Sequence, residues 1–349
     1  MSDDTSEDLD STAKFNRDDL VRGWHEYEAR SPRVVPVLKY AAKTDMGQVR
    51  ENNEDKFDYY EPEEPGVLAA RGSLFAVADG VGGAAAGQIA SEMMLKSLIS
   101  GFYDHPAPDV ETALRDAVAH ANDRVYGLAQ MIPERNGMGT TLTTAIFVEN
   151  FVVLAQLGDS RAYLLRDGSI RQVTQDHSWV EEQVRAGLMT HNEAEMSPFR
   201  NVITRSIGAA ATVMPDLFVE ESRSGDVWIL CSDGLTGHVE DSEILRVAGQ
   251  HAPSESVRQL IELANARGGR DNITAFVIAI RAIVPYSAID TPAEEISSGA
   301  NSTPEQNKSG TQKLSPRAVP TATASAVVAT SPATYDMATR NVWRRLFGR

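Results

Sequence analysis

Between residues 37 and 283 short apolar runs alternate with amphipathic stretches, so strands and helices are both expected. SLFAVAD (73–79) is apolar almost throughout and reads as a buried strand. GVGGAAAG then leads into a helix with Ile89, Ala90, Met93, Met94 and Leu98 on one face. A second helix starts near 109 and spaces Val110, Ala113, Leu114, Ala117, Val118, Ala121, Val125 and Leu128 by threes and fours. Both stripes are core. TTLTTAIFV and FVVLAQLGD flank a two-residue turn at Glu149-Asn150, and RAYLLRDGSIRQV reads as strand, Asp167-Gly168 turn, strand. A polar, helical insertion fills about 177 to 200. Strands return near 213–220, 226–233 and 272–280, with helices at 241–250 and 253–266 between the last two. Strands in hairpins, interrupted by paired helices, predict an α+β or layered α/β/β/α fold with few, long, apolar strands rather than βαβ winding.

The 349 residues suffice for one large domain or two ordinary ones, and 42% hydrophobic with 23% charged excludes a chain unfolded throughout. With 33 Lys+Arg against 49 Asp+Glu, the net charge of -16 repels phosphodiester backbones and anionic lipid, so no nucleic acid partner is expected. Cys231 stands alone and cannot form an internal disulfide, and the acidic start MSDDTSEDLD is unlike a secretory signal. A cytoplasmic, soluble protein is the expectation, since no apolar run approaches the roughly 20 residues of a membrane span.

The two ends differ in composition from the middle. Residues 1–36 form an acidic arm, in which a short helix from Asp18 or Asp19 would present Leu20, Val21 and Trp24. Residues 284–349 are rich in Ser, Thr, Pro and Ala without a sustained period, which predicts a disordered tail closing on VWRRLFGR, an interleaving of aromatic and basic residues suited to a partner or a membrane surface.

Four aspartates stand at ends of apolar strands: Asp79, Asp159, Asp233 and Asp271. A carboxylate beside buried strand costs free energy unless it is paired or coordinated. Asp167-Gly168 is explained as a hairpin turn, but neither Asp79-Gly80 nor Asp233-Gly234 is followed by a partner strand. Several carboxylates without adjacent His or Cys make an oxygen-only set suited to Mg²⁺ or Mn²⁺, and no zinc spacing occurs. In DMGQVRENNED, Arg50 lies a few residues from Glu54 and Asp55, either as an exposed salt bridge or as a fork for the oxygens of a phosphate. Acidic metal ligands beside such a fork point to phosphoester chemistry.

DMGQVRENNEDKF, FAVADGVGG, MGTTLTTAIF, AQLGDSRAYLLRDG, QVTQDHS, VITRSIG, ILCSDGLTGHV and GGRDNITAFVI together resemble, in order and over about 45–280, the metal-dependent serine/threonine protein phosphatases of type 2C in their compact bacterial form. The resemblance implies a four-layer α/β/β/α sandwich of two antiparallel sheets flanked by helix pairs, over residues 37–283, with a flap at about 177–205. It implies that Asp79 bridges two metal ions, that Gly80 offers its carbonyl to one, and that Asp233 and Asp271 complete the ligands of the other. Glu54, Asp55 and Asn272 would hold metal-bound waters or orient the ligands, and Asp159 would join Asp233 at a third ion. Arg50 matches the phosphate-binding arginine, so Arg50, Asp79 and Asp233 are the expected catalytic residues. Val81 departs from the histidine of many eukaryotic members and leaves protonation of the leaving group to water or the substrate's surroundings.

The implied reaction is hydrolysis of phosphoserine and phosphothreonine on proteins by a water bridging two Mn²⁺ or Mg²⁺ ions, whose pKa the metals lower toward neutrality. A monomer opposing Hanks-type kinases, with those kinases and their targets as partners, follows from the same resemblance. Two other readings stand beside it: a phosphoprotein-binding scaffold without catalysis, and a nucleotide-binding module, since Gly80-Val-Gly82 with Ala85 fits G-x-G-x-x-A. A cysteine-dependent phosphatase is excluded because Gly237 stands where its arginine belongs, six residues after Cys231, which is a core thiol. His120, His177, His191 and His238 share no ligand spacing, although His177 opens the insertion.

Overall fold

In the computed structural model, which describes residues 33–131 and 137–289, the chain opens with β1 (Val34–Asp45), β2 (Lys56–Tyr60), the short helix α1 (Pro65–Arg71) and β3 (Ser73–Ala78). A two-residue strand β4 (Gly80–Val81) precedes the long helices α2 (Ala84–Tyr103) and α3 (Val110–Met131). β5 (Gly139–Thr140), β6 (Leu142–Val148), β7 (Phe151–Leu157), β8 (Arg161–Arg166) and β9 (Ser169–Gln172) follow. The insertion holds α4 (Trp179–Arg185) and α5 (His191–Glu195), and the chain closes through β10 (Asp216–Glu221), β11 (Val227–Cys231), α6 (Asp233–Thr236), α7 (Asp241–Gln250), α8 (Pro253–Ala266) and β12 (Ile273–Pro285).

Two antiparallel sheets result, ordered β1-β12-β11-β8-β9 and β10-β7-β6-β3-β2, with β4 and β5 paired in a separate ribbon. Burial on both faces explains the unbroken apolar runs. Along β3, Phe75 and Val77 point into the space between the sheets, while Leu74, Ala76 and Ala78 pack with Met94, Leu98, Leu114 and Val118 of α2 and α3. Along β11, Trp228 and Leu230 face the other sheet, and Ile229 and Cys231 lie against Ile244, Val247 and Leu260 of α7 and α8. Helices, sheet, sheet, helices is therefore the layer order. Edge-on aromatic pairs hold the middle, Phe75 to Phe276 at 5.2 Å and Phe147 to Trp228 at 6.2 Å between ring centroids.

The two hairpin turns form as expected, with Glu149 at φ 50° and with Asp167 and Gly168 at φ 51° and 75°. Four features differ from the sequence expectation. Five strands stand in each sheet rather than a few, because β1 and β2 carry mixed patterns that apolar runs do not reveal. β7 and β8 are consecutive yet belong to different sheets, joined by a turn at Gly158, Asp159 and Ser160. Residues 34–36, assigned to the arm, begin β1, an edge strand, which is where a sheet tolerates a proline such as Pro36. At the other boundary β12 continues to Pro285. The helix expected near Asp18, and the tail beyond residue 289, lie outside the described residues.

Candidate metal and phosphate site

Strand register brings the acidic ends together. Ala78 pairs with Lys56, so Asp55 and Asp79 leave neighbouring strands side by side. Leu142 pairs with Leu157, which sets Thr141 beside the turn bearing Asp159. In the other sheet Cys231 pairs with both Arg161 and Ala275, so Asp159, Asp233 and Asp271 emerge at the same end of three adjacent strands. Carboxylates from both sheets thus face one another at one end of the sandwich.

Each is held by a different device. Asp55 is fully buried, and its Oδ2 accepts hydroxyls from Ser232 and Thr274, both at 2.7 Å, while Oδ1 has no partner. The Asp79 N–H donates to Thr141 Oγ1 at 2.9 Å, and its carbonyl accepts from Thr141 N at 2.8 Å. Asn272 ties the Arg50 loop to β12: its Oδ1 accepts from Glu54 N at 2.8 Å, and its Nδ2 donates to Asn52 O at 2.8 Å and Met46 O at 3.0 Å. Gly87 lies so close under Glu54 that a Cβ there would sit 1.9 Å from Glu54 Oε2, and a Cβ on Gly80 would meet Gly87 O at 2.3 Å. Glycine is required at both by crowding. Arg50 Nη2 lies 2.6 Å from Asp271 Oδ2 with half of its side chain exposed, so the guanidinium borders the acidic cluster at the solvent side.

Burial and mutual repulsion push the carboxyl groups upward together. Desolvation raises Asp55 to about 7, helped by Asp233 and Asp271 and opposed by the two hydroxyls. Asp159 is pushed up to about 8 by desolvation, then by Asp233 and Asp176. Asp79 and Asp233 lie above the usual carboxylate range for the same reasons. Asp159 Oδ1 and Asp233 Oδ1 are buried without a partner, as Asp55 Oδ1 is. Such a set lacks positive charge at its centre, and a hard divalent cation supplies it through oxygen ligands. Among the described residues no three His, Cys, Asp or Glu side chains converge tightly enough to chelate an ion alone. The unpartnered carboxylate oxygens fit hard cations that take carboxylate, backbone and water oxygens together, as Mg²⁺ and Mn²⁺ do.

Glu54, Asp55, Asp79, Gly80, Asp159, Asp233, Asp271, Asn272 and Arg50 all border this end. Thr141, Ser232, Thr274 and Gly87, which hold them, are absent from the expected site; their only signal is a hydroxyl or glycine adjoining an acidic motif. His177 is fully buried rather than open to a substrate. The nucleotide-binding reading fails, because Gly80-Val81 is a strand paired with Gly139-Thr140 and the sheets are antiparallel. Cys231 is buried, and its thiol is pushed up to about 12 by desolvation, so it is an inert core group.

Known proteins resemble this chain in sequence and in fold. The family model described as Protein phosphatase 2C matches residues 41–273. The serine/threonine protein phosphatase PstP of Mycobacterium tuberculosis is 41% identical over 245 residues, which cover 70% of this chain and 45% of PstP, so the match spans about half of that relative. The serine/threonine phosphatase stp of Listeria welshimeri is 36% identical over 241 residues, covering 68% of this chain and 93% of its own length. A crystal structure of the PstP catalytic domain in complex with two manganese ions superposes with a TM-score of 0.61 at 39% identity, covering 72% of this chain and 99% of that one. The S. agalactiae serine/threonine phosphatase gives a TM-score of 0.65 at 35% identity, covering 70% and 100%. No described helix is long and apolar enough to cross a membrane. With the matched region taking in Asp79, Asp159, Asp233 and Asp271, the chain belongs to the protein phosphatase 2C family.

Proposed function

We propose that this chain hydrolyses phosphoserine and phosphothreonine esters on proteins with the help of two Mn²⁺ or Mg²⁺ ions, and a third at Asp159. The observation that carries the reading is the group of buried carboxylate oxygens, drawn from both sheets, that lack partners and raise one another's pKa. Asp79, the Gly80 carbonyl, Asp233 and Asp271 would hold the two ions, with Glu54, Asp55 and Asn272 orienting them, and Asp159 with Asp233 would hold the third. When bound, such cations supply Lewis acidity that activates water and offsets charge on the phosphoryl oxygens.

The chain's own part is positioning. Arg50 stands at the mouth with several N–H donors and can fork onto two phosphate oxygens, which fixes the phosphorus above the carboxylates. Asn272 and the Ser232–Thr274 hydroxyl pair lock the loop and Asp55 in one geometry before substrate arrives. Val81 offers no proton, so protonation of the departing serine or threonine oxygen falls to water or the substrate's surroundings. The reading extends to serine/threonine kinases as the enzymes whose products this chain consumes, and to a cytoplasmic monomer. A purified preparation is expected to release phosphate from a phosphothreonine peptide with Mn²⁺ and to stop on addition of EDTA. Undiminished turnover after exhaustive chelation overturns the proposal.

A further inference from the structure

The turn at Gly158, Asp159 and Ser160, where the chain passes from one sheet to the other, is held at nearly every polar group. Gln156 Nε2 donates to Gly158 O at 3.0 Å and to Ser160 O at 2.6 Å, and Gln156 Oε1 accepts from Thr143 Oγ1 at 2.6 Å. Ser160 Oγ lies 2.8 Å from Thr141 Oγ1, the hydroxyl that also accepts from Asp79 N. Gly158 takes φ +100°, and a Cβ there would come 2.5 Å from Thr141 Cγ2, so no other residue fits.

The remaining hold comes from the flap. His177 N donates to Gly158 O at 2.9 Å, and Gly158 N donates to His177 Nδ1 at 3.2 Å. A ring nitrogen that accepts carries no hydrogen, so the proton of the neutral ring is on Nε2, which donates to Asp216 Oδ2 at 3.1 Å. Arg205 clasps the same carboxylate, Nη1 to Oδ1 at 2.8 Å and Nη2 to Oδ2 at 3.3 Å. His177 O accepts from Thr204 N at 2.8 Å, and Trp179 N donates to Val202 O at 2.8 Å, so the two ends of the flap are zipped together at this histidine. The ring is fully buried.

We propose that His177 is a positioning residue for Asp159: through Nδ1 it clamps the Gly158 amide and aims the Asp159 carboxylate, so the flap root and the third cation site move as one body. The inference rests on the reading of Asp159 as a cation ligand given above. Removing a partner that orients a metal ligand directly costs about 10- to 100-fold in affinity, and the lower end is expected for a hold that acts through the neighbouring amide.

Asparagine and glutamine separate the two ring functions, since an Asn oxygen falls near the Nδ1 position and a Gln amide near Nε2. Mn²⁺ binding to the full chain, followed by calorimetric titration, is the first readout, and phosphopeptide kinetics the second. Asp159→Asn is expected to abolish one class of Mn²⁺ binding, that of the third ion. His177→Gln should weaken that same class about tenfold and lower kcat while KM shifts less than about twofold. His177→Asn should recover most of the loss, and the double variant His177→Gln with Asp159→Asn should bind Mn²⁺ as Asp159→Asn alone does. A His177→Gln isotherm equal to wild type, a His177→Asn variant as impaired as His177→Gln, or losses that multiply in the double variant overturn the proposal. Should His177→Gln not fold, Asp216→Asn, which leaves the ring in place but loosens its outer hold, is expected to weaken the same class by a smaller factor, and unchanged binding there overturns the proposal equally. Failure of the wild-type chain to bind Mn²⁺ at all is a separate result and overturns the phosphatase reading itself.

Discussion

Arg50 and Asp271, 221 positions apart in the chain, meet through Nη2 and Oδ2 at 2.6 Å. The guanidinium thus rests on an acid proposed to hold a cation, and both remain partly exposed. A guanidinium at this position adds nothing to cation binding, because it competes for the same oxygen. Arg50→Ala is expected to reduce kcat/KM for a phosphopeptide by about 2–3 kcal/mol, mainly through KM, with Mn²⁺ affinity equal or slightly higher. Arg50→Lys should restore little, since an ammonium cannot fork. Parallel substrate and Mn²⁺ titrations decide; lost metal binding at unchanged KM would make Arg50 a structural partner of Asp271.

Asp79→Asn and Asp233→Asn should each abolish turnover, since each removes a charge from the centre of the proposed cation site. The same variants should lose the rise in melting temperature that Mn²⁺ gives the wild-type chain, which for one site at a hundredfold excess over Kd amounts to about 2.7 kcal/mol. Melts with and without Mn²⁺ test this independently of activity. A variant that kept both near-normal kcat and the Mn²⁺ response would remove that aspartate from the site.

Asp58 lies apart from the cations' acids and is raised to about 6 by burial, against which the Tyr59 amide at 2.8 Å and Lys96 work only in part. A carboxyl whose folded pKa exceeds its unfolded value binds its proton more tightly in the native state. Stability from this group is therefore full below the ordinary value of 3.8 and is lost as pH rises from there through about 6. Asp58→Asn should raise the melting temperature at pH 7.5 by ~2–4 °C, equivalent to about 1 kcal/mol in a domain of this size, with the gain vanishing at about pH 4. Equal gains at both values would rule out the protonation account.

Trp228 is completely buried between the sheets, and its Nε1 has no hydrogen-bond partner. Replacing it with phenylalanine removes an unsatisfied donor together with some volume. Trp228→Phe is expected to cost only about 1–2 kcal/mol, whereas Trp228→Ala should cost about 3–5 kcal/mol through the cavity it opens. Urea denaturation of both variants measures the difference.

The helices α2 and α3 and the hairpins β6–β7 and β8–β9 were legible because local signals suffice for them: a stripe every three or four residues, or a turn requiring positive φ at Glu149 and Asp167. The acidic strand ends were legible because Asp79, Asp233 and Asp271 interrupt otherwise apolar runs. What was not legible depends on distant partners. Nothing local to FVVLAQLGDSRAYLL shows that its halves join different sheets, and nothing in GVGG shows that Gly80 and Val81 pair with residues 139 and 140. The roles of Gln156 and His177 are likewise invisible, since each acts on a backbone turn reached only after the fold closes.

Because Asp55 and Asp79 leave one sheet while Asp233 and Asp271 leave the other, like charges act as a wedge at one end of the sandwich, and aromatic rings such as Phe147 and Trp228 hold the layers between. Any cation that settles among them is also a rivet between the two halves of the core. Hydrogen exchange should then be lopsided: slow in the middle of both sheets whatever the solution contains, and governed by divalent cation only near the Asp79 and Asp271 ends of the strands.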